Sequence, residues 1–145
     1  MKKETLIFVV FSLFSFSFVL GCVKMETDVQ LTRRIFYSLC SGNSKAEGRI
    51  DWERFKAVGI DVGQAYSNII AEKERRDYRK AFFYNFSHSF RLSGGRLNAF
   101  SNWRIKERKD DLTIVATDTA SGRVLLFTLT FRGGKRKLTS IDWEQ

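Results

Sequence analysis

No proline occurs anywhere in the chain, histidine occurs once, at His88, and cysteine occurs only at positions 22 and 40. Two cysteines cannot build the disulfide framework of a small secreted scaffold, and no Cys/His cluster has metal-ligand spacing. There is no repeat, domain linker or low-complexity tract, which argues for one folded unit. Also missing are a Gly-x-Ser-x-Gly elbow, a phosphate loop and a zinc signature, so no cofactor or metal is expected. Acidic residues are scarce relative to basic ones, 16 against 25, for a formal charge of +9. Aromatics make up 14% of the residues, too many for a disordered chain.

The first 22 residues have an organisation of their own. Met1-Lys2-Lys3 is a short positive start, and Thr5 to Leu20 carries no charge and five phenylalanines: Phe8, Phe11, Phe14, Phe16 and Phe18. A charged start followed by an apolar stretch is the order of a secretory signal. The usual Ala-x-Ala end is missing, because the first alanine is Ala46. The stretch ends instead in Phe18-Val19-Leu20-Gly21-Cys22, a small residue directly before a cysteine. That arrangement resembles the lipobox of bacterial lipoproteins, with Val19 where leucine is commonest. The resemblance implies that the Cys22 thiol receives a diacylglyceryl group and that the chain is cut before it. It implies a signal peptide over 1–21, a lipidated tether over 22–27 and a single α+β domain over 28–145. Val23 after the cysteine, where aspartate would mark retention, looks like the outer-membrane sorting pattern, so the expected location is the cell envelope, at the outer membrane or cell surface. Two other readings stay open: an uncleaved anchor, diluted by Ser12, Ser15 and Ser17 and a little short of the ~20 residues that span a bilayer, and an ordinary secretory signal cut after Ser17.

Without the signal about 124 residues remain, enough for one core. Lys2, Lys3 and Glu4 leave with the signal, so the mature part keeps +8. Strong positive charge usually points to nucleic acid, but export removes that partner. Anionic lipid, cell-wall polymer or an acidic envelope protein remain, beside the plain reading that the cations solvate the surface.

Hydrophobic periodicity gives helices first and strands last. Thr27-Asp28 offer capping oxygens to a helix running to about Cys40, with Leu31, Ile35 and Leu39 on one stripe. Asp51 is expected to cap a short helix carrying Trp52 and Phe55 inward and stopping at Gly59, and Ile60-Asp61 to start another that holds Tyr66, Ile69 and Ile70. The longest helix is expected over Ala71–Leu92, with Tyr78, Phe82, Phe86 and Phe90 four apart and Phe83 beside them. Beyond Gly95 the period becomes two. Strands are expected around Trp103–Lys106, over Leu112–Thr117, over Val124–Arg132 with Leu125, Phe127, Leu129 and Phe131 on one face, and over Lys137–Trp143. The fold class is therefore α+β, with N-terminal helices packed on a four-stranded antiparallel sheet. An N-terminal helix, the break Tyr37-Ser38-Leu39-Cys40-Ser41-Gly42-Asn43, helices entered through Ile50-Asp51-Trp52, an aromatic helix and a long sheet together resemble the NTF2-like (cystatin-like) superfamily. Similar elements occur in the periplasmic phospholipid-shuttle family. The likeness implies a cone-shaped cavity under a curved sheet, in folds that serve enzymes, ligand carriers and interaction modules alike.

The candidate sites follow from chemistry. Cys22 is the expected lipidation site. Cys40, on an apolar helix face, reads as a buried small hydrophobe. His88 falls off the phenylalanine stripe and reads as a surface residue; with an aspartate in a cavity it would be the acid–base pair of an NTF2-like enzyme. Asp110-Asp111 read as turn residues whose carboxylates point apart. Arg132, Lys135, Arg136 and Lys137, around Gly133-Gly134, form the densest positive run, expected at the last hairpin tip and available to anionic headgroups or an acidic protein. The leading expectation is a non-enzymatic, membrane-anchored binding module; the alternatives are an apolar-ligand or phospholipid carrier and an NTF2-like enzyme.

Overall fold

The computed structural model describes residues 25–145; the signal segment 1–21, the lipidation site Cys22 and the first part of the tether lie outside the described residues. Helix α1 spans Asp28–Ser41. Its start is a capping box: the Thr27 hydroxyl accepts from the Gln30 N–H, and the Gln30 side-chain oxygen accepts from the Thr27 N–H. The expected stripe is the buried one, Leu31, Ile35 and Leu39 being at most 2% exposed, with Phe36 and Cys40 beside them. Gly42 ends the helix with φ +73°, the left-handed cap that glycine adopts without cost. A 3-10 turn over Ser44–Arg49 follows.

The next segment departs from expectation. Residues 51–54 form a turn, with the Arg54 N–H donating to the Asp51 carbonyl at 3.0 Å, and no helix forms between Asp51 and Gly59. Instead β1 (Lys56–Ala57) and β2 (Ile60–Asp61) make a minimal hairpin in which Ala57 pairs with Ile60 and Lys56 with Asp61. The two turn residues, Val58 and Gly59, both have positive φ, +48° and +81°. That is the sign pattern of the primed turns that match strand twist, but a β-branched residue is a rare occupant of the left-handed region and hides the signal. Trp52 and Phe55 do face inward, through the turn rather than along a helix.

Helix α2 is short, Val62–Ser67, because Asp61 caps it and Asn68 closes it; Ile69 and Ile70 fall outside, and Ile70 is almost fully exposed. Gly63 is forced by packing: a Cβ there would lie 2.4 Å from the Glu53 carbonyl oxygen. Helix α3 spans Glu72–Leu92, about 31 Å at 1.5 Å per residue. Phe83 is fully buried, whereas Tyr78, Phe82, Phe86 and Phe90 are half-buried against the core edge. The buried line thus lies one residue beyond the fourfold stripe, through Phe83 and Ser87, because Ser87 meets Gly42 where α1 ends.

Four long strands complete the chain: β3 (Phe100–Arg108), β4 (Leu112–Thr119), β5 (Val124–Arg132) and β6 (Lys135–Trp143). The sheet is six-stranded, not four-stranded, and mixed, in the order β2-β1-β6-β5-β4-β3. The long strands form the expected antiparallel meander, and β1 adds to it in parallel alongside β6. Sequence periodicity misses the two extra strands because two residues are too few to show alternation. The sheet is open, and its long edge strand β3 is bulged twice, with Asn102 at φ +51° in the first irregularity. Ile105, opposite buried Val115 but on the edge strand, is 40% exposed, although Trp103 packs inward. Phe131 keeps the expected face, that of Leu129, but is 55% exposed because it stands at the end of β5, past the cover of the helices.

Phe36 lies at the centre of the core, its ring 4.9 Å from that of Phe100, 5.2 Å from Phe127 and 6.0 Å from Trp103. Edge-to-face and tilted pairs at such spacings add to plain area burial. The helices therefore lie on one side of the sheet over a filled aromatic layer.

Candidate functional site

Three surface features carry chemistry. The first is an apolar groove of about 470 Å³ between the β1–β2 hairpin and the C-terminal half of α3. Ala57, Val58 and Ile60 form one wall, and Phe82, Phe86 and Phe90 the other. Asn85, Ser89 and Ser93 supply a polar rim. Ile60 is 66% exposed and Val58 45%, so the groove opens to solvent. The charged residues of the two flanking segments, 54–61 and 81–96, are Arg54, Lys56, Arg91 and Arg96, with Asp61 the sole acid. Asp61 is already occupied in accepting from the Gln64 N–H at the start of α2.

The second is the expected basic run. Gly133 and Gly134, at φ +61° and +77°, make a two-residue turn in which Arg132 pairs with Lys135, so β6 begins at Lys135 rather than Lys137. Lys135, Arg136 and Lys137 are therefore strand residues on alternating faces. Arg132 and Lys137 line a polar recess with Asp51, Glu53 and Tyr66. There one Arg132 Nη donates to both Asp51 carboxylate oxygens, at 3.2 and 3.1 Å, and Asp51 is only 5% exposed. The hydrogen bond that Arg132 donates to Asp51 raises its pKa above the ordinary value. Arg136 turns to the helix face, where its guanidinium lies 3.8 Å from Asp28 and near the Phe131 ring. Of the four cations, Lys135 and Lys137 form no ion pair among the described residues, whereas Arg132 and Arg136 do.

The third is the anchorage of the α1 N-terminus. The Asp28 carboxylate accepts from Thr113 Oγ1 at 3.0 Å and from Arg108 at 3.2 Å, besides its contact with Arg136. Glu26 binds Arg34 through both oxygens, at 2.7 and 2.9 Å, and that hydrogen bond is the main cause of a carboxyl pKa below its ordinary value. Glu26 and Thr27, expected in the tether, are thus tied to α1.

The single residues read individually fall as follows. His88 is exposed on α3 and stacks on Tyr84, their rings 6.1 Å apart and 4° from parallel. Asp110 and Asp111 sit exposed at the β3–β4 turn. Cys40 is buried and free, and burial pushes its thiol up to about 12. A thiol so held is almost never the reactive thiolate. Among the described residues no group of His, Cys, Asp and Glu could hold a metal ion, and no helix is long and apolar enough to cross a membrane. The groove itself was not read from sequence; the half-buried Phe82, Phe86 and Phe90 stripe was visible, but its unpaired partner hairpin was not.

No protein-family model, curated protein or solved structure matches the chain. Function rests on the geometry alone.

Proposed function

We propose that this chain is an envelope lipoprotein, anchored by acyl groups on Cys22, whose NTF2-like domain acts without catalysis as a binding module for an acidic envelope protein. The observation that carries the binding role is the groove between Val58, Ile60 and the α3 phenylalanines: an apolar, solvent-open surface beside a strained turn. Functional surfaces are where a folded chain tolerates both an exposed apolar patch and a strained backbone. The flanking arginines and lysine favour a partner segment that sets carboxylates around apolar side chains. Two features speak for a non-enzymatic role. His88 stands in solvent against Tyr84, and the buried carboxylate of Asp51 is neutralised by Arg132. The helices-then-sheet layout, with α1 and α3 over one sheet face, supports the NTF2-like reading.

Fatty-acid labelling of wild type and Cys22→Ser tests the anchor: label on the wild type alone is expected, and equal labelling removes it. The groove is tested by Ile60→Glu, which places a like charge against an acidic partner. Crosslinks formed in intact cells from position 89 on the groove rim should disappear with that variant and persist with Lys73→Glu on the exposed start of α3. One observation favours a second reading, an apolar-ligand carrier: the groove walls are almost wholly hydrocarbon. Native mass spectrometry of the purified protein separates the two, since a carrier retains a lipid and a docking module does not.

A further inference from the structure

We infer that the end of the domain holding the β5–β6 turn is the membrane-facing end, with Phe131 inserted at the headgroup–acyl boundary and Lys135 beside phosphate groups. The inference rests on the proposed lipid at Cys22. Its geometric basis is where the chain becomes fixed. Glu26 is clamped to Arg34, Thr27 caps α1, and Asp28 is held by Thr113, Arg108 and Arg136. From Cys22 to Glu26 is four residues, and four residues reach at most about 14 Å when fully extended. Whatever path they take, a lipid on Cys22 holds Glu26 within that distance of its bilayer, and Asp28, two residues further, within about 21 Å.

The surface beside that cluster has the chemistry of a bilayer interface. Arg136 contacts Asp28 and pairs across the ladder with Phe131, so Phe131 lies on the same sheet face as the α1 N-terminus. It is 55% exposed, one residue from the Gly133–Gly134 turn, and the Arg136 guanidinium lies 5.8 Å from its ring centroid. The Phe131 N–H donates to the Asp111 carbonyl at 2.8 Å, which sets the β3–β4 turn beside it. An aromatic ring with long cationic side chains around it buries its hydrocarbon while the charges stay among headgroups.

Net charge is not the driving force at this end. Asp28 is met by Arg108 and Arg136, Asp51 and Glu53 by Arg132, and Glu107 by Lys109, leaving Asp110 and Asp111 against Lys135 and Lys137. Tethering does the work instead. A lipid already in the bilayer makes contact by the tip an intramolecular event at high effective concentration, so a single ring suffices. The opposite end then points outward. The Val58 N–H donates to the Ile141 carbonyl, six residues along β6 from Lys135, which is about 20 Å at strand rise. The binding groove is thereby presented away from the membrane.

Spin labels read this arrangement in the full lipidated chain, reconstituted in vesicles of phosphatidylethanolamine and phosphatidylglycerol. Asp110→Cys labels the tip end and Ile60→Cys the groove end; buried Cys40 stays unlabelled. In vesicles, relative to detergent solution, collision of the 110 label with a polar nickel complex should fall severalfold and with oxygen should rise, while the 60 label stays water-exposed. Adding Phe131→Ser should return the 110 label toward its solution value. Equal exposure of both labels, immersion of the 60 label, or indifference to Phe131→Ser overturns the inference. Fatty-acid labelling of the same preparation identifies the cause of failure: an unlipidated chain refutes the anchor and the orientation with it, and a lipidated chain with a solvated tip refutes the orientation alone.

Discussion

Replacing Val58 with asparagine should make the domain more stable, although it deletes an apolar side chain. Val58 occupies the first turn position of the β1–β2 hairpin at φ +48°. For an L-residue with a substituted Cβ the left-handed region costs roughly 1–2 kcal/mol, and branching at Cβ worsens the clash. Asparagine before glycine is the preferred pair for this turn. Against that gain stands lost burial. Full burial of a valine is worth roughly 1.5–3 kcal/mol, an upper bound, and Val58 is 45% exposed, so roughly 0.8–1.6 kcal/mol at most is at stake. The net expectation is a small gain of up to about 1 kcal/mol, or up to about 5 °C in Tm for a domain of this size. Urea unfolding of residues 25–145 measures it, with Val58→Ala as the comparison that loses the same methyl groups but lacks the amide that hydrogen-bonds locally in the left-handed region. Alanine should fall below asparagine. A loss of 1 kcal/mol or more in the asparagine variant would refute the strain argument. If Val58 is kept for the groove, the stabilised variant should also lose the groove crosslink.

Phe83→Ala should cost roughly 3–5 kcal/mol, as a fully buried ring, and His88→Ala no more than about 0.5 kcal/mol, as an exposed one; Phe86→Ala, on the groove wall, should fall between them in chemical denaturation. Gly63→Ala should destabilise by roughly 1–3 kcal/mol or more, because the added methyl meets the Glu53 backbone rather than a movable side chain. Thermal unfolding of residues 23–145 should not change on adding reductant, since Cys40 is buried and free; a large loss of Tm would reveal a bridge between two copies through Cys40. The Glu26 carboxyl, lowered chiefly by its hydrogen bond to Arg34, contributes stability that is full above the ordinary glutamate value of 4.5 and is lost as pH falls through the lower folded value. Glu26→Gln should therefore flatten the acid limb of the pH–stability curve, and a Glu26 titration by NMR at or above 4.5 would contradict the clamp.

The helices α1 and α3 and the four long strands were legible because each is long enough to display its period. Leu31, Ile35 and Leu39 repeat every fourth residue, and Leu125, Phe127 and Leu129 every second. Thr27 and Gly42 punctuate α1 with side-chain and backbone chemistry that sequence displays directly. The β1–β2 hairpin was not legible. Its strands have two residues each, and its turn begins with valine, the residue type least expected at positive φ. The site inherits that gap: one wall of the groove belongs to the hairpin, so the phenylalanine stripe on α3 read as core. The basic run was visible as composition, but its division between two faces depends on the register of β5 and β6, which fixes Arg132 against Lys135. Whether Arg132 and Arg136 are solvated depends on Asp51 and Asp28, far away in sequence.

The irregular edge strand β3 has a consequence for crowding. On the proposed lipid anchor the protein is confined to a plane, where it would meet its own copies in two dimensions, often in the same upright orientation and for long encounters. A straight nine-residue edge would then be a template for neighbour after neighbour, growing a ribbon of sheets along the surface. Two bulges, Asn102 at positive φ, and the charged side chains of Arg104, Lys106, Glu107 and Arg108 break the row of evenly spaced donors and acceptors that such growth needs. The edge of β3 thus offers no template for such a ribbon.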